Sequence, residues 1–320
     1  MKVAGAITIA GTALWLPEKV YSAAEAQEAA VVTKADSEGE GISALPIADL
    51  FPPGMACLAA TEALTKARVV AKDLALLVHA WVYHQGPQTW TPPHRVAREL
   101  GASDCVALGV RQMSNGGAMA VQMAVTHLLT ERRAEAALVT TADSFAGLPY
   151  DRWLSAPPLG DGATAVVFTR GPGPQVIESI ASVGDPELEL AYPTSDPFEA
   201  GTDRTRTPPT RTALRGFSRG VRRAAEEALE DAGLRPSDIS SVLLPRLGRT
   251  LVTHLAGRAL PDDLAAKVVL TGRNTGHLGA GDLPANLAEH PAPADGEHHL
   301  HVSVGAGFTA TCLITRGTRS

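Results

Sequence analysis

The chain has 320 residues, of which 45% are hydrophobic and 19% charged. This composition is typical of a folded globular protein, and it excludes a disordered chain, a coiled coil and a collagen-like fibre. The net charge of −6 argues against a general nucleic-acid binder, because phosphate contacts need a basic face.

The three cysteines, Cys57, Cys105 and Cys312, are odd in number and far apart, which argues against a disulfide framework or a zinc site and favours a reducing cytoplasm. The opening apolar run, residues 3–16, is interrupted by glycines and threonines. Its alternation suits a buried strand better than a signal peptide. No uninterrupted apolar stretch reaches about 18 residues, so no membrane span is predicted.

The first half of the chain alternates short apolar runs with longer helical patterns, which is typical of an α/β fold. The predicted strands are residues 7–9, 76–81, 106–110, 136–141 and 162–168. The predicted helices are residues 54–67, 93–100 and 116–129. A turn-rich joint, Gly171-Pro172-Gly173-Pro174, follows.

A comparable alternation restarts after this joint. We predict strands over residues 176–182, 242–244 and 267–270, helices over 220–232, 250–259 and 283–289, and a closing hairpin of 301–304 with 311–315. The sequence therefore predicts two similar α/β halves packed together, residues 1–170 and residues 175–320.

Residues 187–212 fit neither periodicity and are predicted to form a long loop, of the kind that serves as a lid or binding segment. The loop overlaps residues 204–223, which hold seven arginines and no acidic residue. These arginines are candidates for contacting phosphate, either of a pantetheine-bearing cofactor or of an acidic carrier protein. The alternative is a solvated face.

Ser114 lies between the predicted strand that ends at Val110 and the predicted helix that starts at Gly116. Such a turn presents its side chain at a helix N-terminus, where backbone N–H groups stabilise an oxyanion. Ser114 is therefore a candidate nucleophile. The alternative is an N-capping serine.

A glycine-rich loop, residues 274–282, carries an imidazole at His277 and a carboxylate at Asp282. A neutral imidazole accepts a hydroxyl proton near physiological pH, and a buried carboxylate fixes its tautomer. The pair is a candidate base and orienter. The alternative is that Asp282 only caps the helix that starts at Leu283.

Two further features are weaker candidates. The turn at residues 305–308 either supplies a backbone N–H to an oxyanion or is a plain hairpin. His298, His299 and His301 have no cysteine or paired acid nearby in the sequence, so we expect surface histidines rather than metal ligands.

Over nearly its whole length the sequence resembles the ketoacyl synthase III branch of the thiolase-like superfamily. Residues 12–20 are similar to the family's opening strand and turn, residues 159–163 to its glycine-aspartate turn, and residues 305–309 to its closing glycine loop. The resemblance implies a thiolase-like α/β fold of two similar halves packed in layers (αβαβα). It also implies that Asn274 is the active-site asparagine, and that the N–H groups of Ser114 and Gly307 form an oxyanion hole.

The sequence departs from the family at two positions. The family nucleophile is a cysteine, and the matching residue here is Ser114, whose hydroxyl needs a general base because it is a weaker nucleophile than a thiolate. Condensing members place a histidine after a proline to help decarboxylate malonyl groups, whereas here Pro245 precedes Arg246. These changes resemble a side branch of the family that serves polyketide and other antibiotic pathways and that selects acyl starter units or moves acyl groups rather than condensing them. The resemblance implies Ser114 as nucleophile, His277 as base and Asp282 as orienter.

We therefore expect a homodimeric acyltransferase that forms an acyl-Ser114 intermediate from a coenzyme A or acyl-carrier-protein thioester. No tightly bound cofactor, metal, nucleic acid or membrane partner is expected. The candidate contacts with phosphate or carrier are Arg211, Arg215, Arg219, Arg246 and Arg249. The alternatives are a starter-unit ketosynthase that condenses with malonyl carrier protein and an inactive partner subunit of a condensing complex.

Overall fold

The computed structural model describes residues 1–191, 211–306 and 308–319, without the side chains of residues 189–191 and 211–214. The strands are β1 (Lys2–Trp15), β2 (Val20–Ser22), β3 (Ala44–Pro46), β4 (Leu74–Ala80), β5 (Val106–Val110), β6 (Ala136–Asp143), β7 (Gly162–Thr169), β8 (Gln175–Gly184), β9 (Ile239–Leu243), β10 (Val268–Val269), β11 (His298–Val304) and β12 (Thr309–Gly317). The helices are α1 (Ala23–Glu28), α2 (Lys34–Glu40), α3 (Pro52–Ala67), α4 (Pro92–Leu100), α5 (Gly116–Thr130), α6 (Arg211–Ala232), α7 (Arg249–Ala259), α8 (Asp262–Ala265) and α9 (Asp282–Glu289).

Ten of these strands form one sheet, in the order β10-β9-β11-β12-β8-β1-β7-β6-β4-β5. Five strands from the first half of the chain lie on one side of the sheet and five from the second half on the other. In each half the outer three strands run parallel: β4 with β5 and β6, and β9 with β10 and β11. The division into domains of residues 1–170 and 175–320 stays a prediction.

Helices α5 and α9 lie in the middle of the fold. Their buried side chains share one core with residues from both halves of the sheet, among them Leu76, Val78, Ile177 and Ile180. Helices α3 and α4 cover the first half from outside, and α6 and α7 cover the second. The layers thus run αβαβα, and the predicted thiolase-like fold is confirmed.

The predicted elements mostly match in kind but not in length. The opening apolar run is strand β1, which lies at the centre of the sheet, and the closing hairpin is β11 with β12. Helix α6 begins at Arg211, so the predicted start at residue 220 was wrong. The reason is a stripe of Phe217, Val221, Ala224 and Ala228, spaced every three or four residues, which packs on the second half of the sheet.

The predicted loop over residues 187–212 is only partly described. Residues 186–191 form a short 3-10 helix, residues 211 and 212 belong to α6, and residues 192–210 lie outside the described residues. Within the described part of the chain, no helix is both long enough and apolar enough to cross a lipid bilayer.

Candidate active site

Ser114 lies in a tight turn between β5 and α5. Met113 adopts a left-handed conformation with a φ of 47°, which is uncommon for a residue with a side chain. The Gly116 N–H donates to the Met113 carbonyl at 2.9 Å, and the buried Asn115 amide donates to Thr311 Oγ1 at 3.1 Å. The turn therefore projects the Ser114 hydroxyl from the start of a buried helix.

The loop before α9 places His277 against this hydroxyl. Ser114 Oγ and His277 Nε2 are 2.7 Å apart, although the two residues are 163 positions apart in the chain. Backbone hydrogen bonds fix the loop, because the His277 N–H donates to Pro158 and its carbonyl accepts from Gly160, at 2.9 and 3.0 Å. His277 is 5% exposed, so the loop holds its ring within the protein.

Asp282 completes the arrangement. Its Oδ2 accepts from His277 Nδ1 at 2.6 Å and from the Arg246 N–H at 2.8 Å, and its Oδ1 accepts from the Leu278 N–H at 2.9 Å. Because the carboxylate is an acceptor, we assign the ring proton to Nδ1, which leaves Nε2 free to accept the proton of Ser114. The carboxylate thus orients the imidazole and does more than start the helix.

The charges within the pair support each other. Burial alone would lower the pKa of His277, but the charge and hydrogen bond of Asp282, with a contribution from Asp143, raise that pKa above its usual value. Burial opposes ionisation of Asp282, yet His277, the Leu278 N–H and Arg246 hold the pKa of Asp282 below its usual value. The geometry therefore favours a carboxylate that stabilises an imidazolium.

Asp143 is a second buried carboxylate at this site, and the sequence analysis missed it. Asp143 is the last residue of strand β6. Its carboxylate accepts hydrogen bonds from the backbone N–H groups of Val82, Tyr83 and Ala280 at 2.7 to 3.1 Å. Burial raises the pKa of Asp143 to about 6, against the effect of these bonds and of His277. One signal was present in the sequence: Asp143 stands just after the strand predicted over residues 136–141. The carboxyl ends of parallel strands, here β4 and β6, meet at one edge of a sheet, where polar side chains often form a site.

Two glycines allow the segments of the site to approach one another. A Cβ on Gly117 would lie 2.2 Å from the Ala280 carbonyl oxygen, so a glycine is needed where α5 passes the His277 loop. Gly279 has a φ of +62°, and its Cβ would lie 2.3 Å from Asp143 Oδ2. The distance between Ser114 and His277 depends on this close packing.

A cavity of about 420 Å³ opens onto Ser114 and His277. One wall comes from the first half of the chain and carries Val82, Tyr83, Phe145, Leu148, Tyr150, Ser155, Ala156 and Leu159. The other wall comes from the second half and carries Phe217, Ser218, Leu247, Leu251, His254, Leu255, Val304, Gly305 and Ala306. Most of these side chains are apolar, so the cavity suits an apolar ligand beside the polar Ser114 and His277.

The predicted oxyanion donors are described only in part. Gly307 lies outside the described residues. A Cβ on Gly305 would lie 2.8 Å from the Ser114 nitrogen and 2.6 Å from the Asn115 nitrogen. The closing glycine loop therefore passes directly over the Ser114 N–H, where a side chain would block access.

Asn274 does not join the site, which corrects the role that the resemblance implied. Its side chain is exposed, and it does not line the cavity. The reason is the path of the loop, in which Gly276 turns back with a φ of +60° and His277 is the first side chain to reach Ser114.

The predicted phosphate-binding arginines separate into two groups. Arg215, Arg219 and Arg249 are exposed on α6 and α7, and Arg219 pairs with Asp185 at 3.3 Å. The side chain of Arg211 is outside the described residues. Arg246 is 1% exposed, so its assignment as a phosphate contact was wrong.

The expectation of surface histidines is also wrong for two of the three. His299 and His301 are 5% and 2% exposed and lie on the inner strand β11, where their ring centroids are 6.3 Å apart. Burial with the neighbouring imidazoles lowers the pKa of His299 to about 4 and that of His301 to about 3. Among the described residues, no three His, Cys, Asp or Glu side chains are placed to hold a metal ion.

The fold is that of a thiolase-like protein, and Ser114 lies at its strand-to-helix turn between β5 and α5. Residues 229–316 match the family model described as 3-oxoacyl-[acyl-carrier-protein (ACP)] synthase III C terminal. The chain is 28% identical over 325 residues to the β-ketoacyl-[acyl-carrier-protein] synthase III of Erythrobacter litoralis, with 96% of this chain and 98% of the relative covered.

Solved structures extend the comparison over the whole chain. The acyltransferase ChlB3 is 30% identical, covers 98% of both chains and superimposes with a TM-score of 0.85. The priming β-ketosynthase of the R1128 polyketide pathway has the same fold at 19% identity, with 100% of this chain and 99% of the other covered and a TM-score of 0.82. The chain therefore belongs to the ketoacyl synthase III-like family of the thiolase superfamily.

Proposed function

We propose that this protein is an acyltransferase that forms an acyl-Ser114 intermediate from a coenzyme A or acyl-carrier-protein thioester and passes the acyl group onward in polyketide-type biosynthesis. The observation that carries the proposal is the hydrogen-bonded series Ser114, His277, Asp282, with contacts of 2.7 and 2.6 Å. This series opens onto a cavity of mostly apolar walls.

In the first half-reaction the Ser114 oxygen attacks the thioester carbonyl carbon while His277 Nε2 takes the hydroxyl proton. Asp282 stabilises the imidazolium, and the Ser114 N–H contributes to the oxyanion site. The C–S bond then breaks, and His277 returns the proton to the departing thiolate. In the second half-reaction the acceptor takes the place of the thiol. His277 takes the proton of the acceptor while the acceptor attacks the acyl-Ser114 ester, and His277 then returns this proton to the departing Ser114 oxygen.

Condensation with a malonyl carrier protein is less well supported. Arg246 follows Pro245, where condensing members have a histidine, and its buried side chain does not line the cavity. Asn274 is exposed. An inactive partner subunit would have no need of the close contacts at His277. Release of carbon dioxide from a malonyl thioester, coupled to ketoacyl product, would favour condensation.

The donor would approach between α6 and α7. Phe217 and Ser218 of α6 and His254 of α7 line the cavity, while Arg215, Arg219 and Arg249 are exposed on the same two helices. Such cations suit the phosphates of coenzyme A or the acidic surface of a carrier protein. The thioester is a substrate in this proposal, and no resident cofactor takes part.

A homodimer fits the exposed edge of the sheet. Strand β5 is the last strand on its side, and Val106 on it is 59% exposed. A second copy would cover this edge by strand pairing. We expect sedimentation at the mass of two chains, and Val106→Lys to shift the protein toward the monomer.

The test of the acyl intermediate is intact-mass measurement after incubation with a panel of acyl-CoAs and acyl carrier proteins. We expect one acyl adduct on the wild type, none on Ser114→Ala, and full acylation of the control Ser155→Ala, which removes another serine of the same cavity. An adduct that persists in Ser114→Ala would overturn the assignment.

A further inference from the structure

Arg246 is the largest fully buried polar side chain near the site, and the reaction described above gives its guanidinium no part. Its side chain is 0% exposed. It follows strand β9, and its backbone N–H donates to the same Asp282 oxygen that accepts from His277. A buried guanidinium is costly unless its donors are satisfied, so its contacts show what keeps it there.

The guanidinium joins two of the segments that build the site. Its Nη1 donates at 3.0 Å to Thr275 Oγ1, in the loop that carries His277. Its Nε donates at 3.1 Å to Asn286 Oδ1, and Nη2 donates at 2.8 Å to Glu289 Oε2, both on helix α9, which begins at Asp282. The loop and the helix are therefore anchored to one side chain.

The charge of Arg246 also bears on the pair. Two carboxylates, Asp282 and Asp143, act on His277, and Arg246 favours the ionised form of Asp282. Glu289 is half exposed and neutralises Arg246 from its far side. Of the groups packed around the pair, Arg246 supplies the permanent positive charge that opposes proton uptake, because a guanidinium does not deprotonate in proteins.

We propose that Arg246 is a positioning residue of the acyl transfer: it anchors the His277 loop to helix α9, and its positive charge opposes proton uptake by the His277–Asp282 pair. This proposal rests on the proposed function, since it assigns a role in preparing Ser114 for attack. Arg246 stands where condensing members have a histidine. It would thus support His277 as the base instead of contacting the substrate.

The experiment is an NMR titration of His277 with ring-labelled histidine, the signal being assigned by its loss in His277→Gln. We expect Arg246→Gln to raise the titration midpoint of the His277–Asp282 pair by about one pH unit, because a positive neighbour has been removed. Arg246→Lys retains the charge and should restore most of the wild-type midpoint.

The matched control is Arg316→Gln, which removes another guanidinium paired with a carboxylate, Glu178. Arg316 is partly buried and lies near the opposite end of β12 from the site. Its effect on the midpoint should be under about 0.2 units, since a distant charge is screened. An unchanged midpoint in Arg246→Gln, or an equal shift in Arg316→Gln, would overturn the proposal.

A second variant covers the case in which Arg246→Gln does not fold. Thr275→Val removes the hydroxyl that accepts from the guanidinium, so the Nδ1 proton of His277 should exchange faster with water. Thr275→Ser keeps a hydroxyl at this position and should exchange as slowly as the wild type. Wild-type exchange in Thr275→Val would refute the anchoring role. These measurements need no acyl donor, so failure of wild-type acylation would count against the proposed function alone.

Discussion

Replacing Gly117 by alanine tests the packing that brings the two halves of the site together. The added Cβ would lie 2.2 Å from the Ala280 carbonyl oxygen and 3.2 Å from two carbons of Pro284. An ordinary carbon–oxygen contact is about 3.3 Å, so helix α5 and the His277 loop must separate by about 1 Å. A backbone oxygen and a proline ring are not flexible side-chain ends, so the separation moves backbone.

That displacement sets the expected magnitudes. Ser114 and His277 are carried by the two segments that separate, and a misplacement of about 1 Å costs about 100-fold in rate. Overpacking costs about 1–3 kcal/mol, partly offset by about 1 kcal/mol because alanine favours a helix over glycine. We therefore expect Gly117→Ala to fold, with modestly lower stability and about 100-fold slower acylation of Ser114.

The assay follows acyl-Ser114 by intact mass over time and the free energy of unfolding by urea titration. Gly257→Ala is the matched control, because Gly257 lies in helix α7 and its Cβ would meet no atom within 4 Å. This control should acylate at the wild-type rate and gain up to about 1 kcal/mol. If Gly117→Ala matches wild type in both rate and stability, the close approach of α5 to the loop is refuted.

Four further predictions concern charge. Asp282→Asn should slow acylation by about 10⁴-fold in single-turnover assays, because the wrong tautomer of His277 would face Ser114. Wild-type acylation should decline as the pH falls below the pKa of His277, which lies above its usual value, because the protonated imidazole cannot act as a base. Arg152→Met should destabilise the protein by about 3–5 kcal/mol in urea titrations, because the buried Asp161 carboxylate, 2.9 Å from Arg152, would lose its cationic partner. Stability should fall by about 2 kcal/mol from pH 7 to pH 5 through His301, whose pKa is lowered to about 3; His301→Leu should weaken this dependence, and an unchanged slope would contradict it.

Much of the fold was accessible from the sequence because most elements carry their own periodicity. Strands β4 to β7 and helix α5 were predicted within a few residues, since short apolar runs are typical of buried strands. Helix α6 was predicted too short because its first turns are rich in arginine and glycine. Its apolar stripe is visible only once the sheet that it covers is known.

The residues of the candidate site could be predicted from the sequence where a reactive side chain stands in a local pattern that is typical of active sites. Ser114 stands at a strand-to-helix turn, and His277 and Asp282 share one short loop. The contact between Ser114 and His277 depends on packing across 163 positions, which no local pattern specifies. Arg246 and Asn274 illustrate the limit: sequence indicated a charged and an amide side chain, but only the backbone path decides which is buried and which is exposed.

Helices α5 and α9 lie side by side in the middle layer, one from each half of the chain, and the reactive groups sit at the beginning of both. Each half therefore contributes one component of the proposed catalytic unit, which neither contains by itself. A substitution that shifts one of these helices has to be matched by a change in the other, so the two halves are constrained to evolve together. Exchanging one half for that of a distant relative should preserve the sheet and still disconnect the hydroxyl from its base.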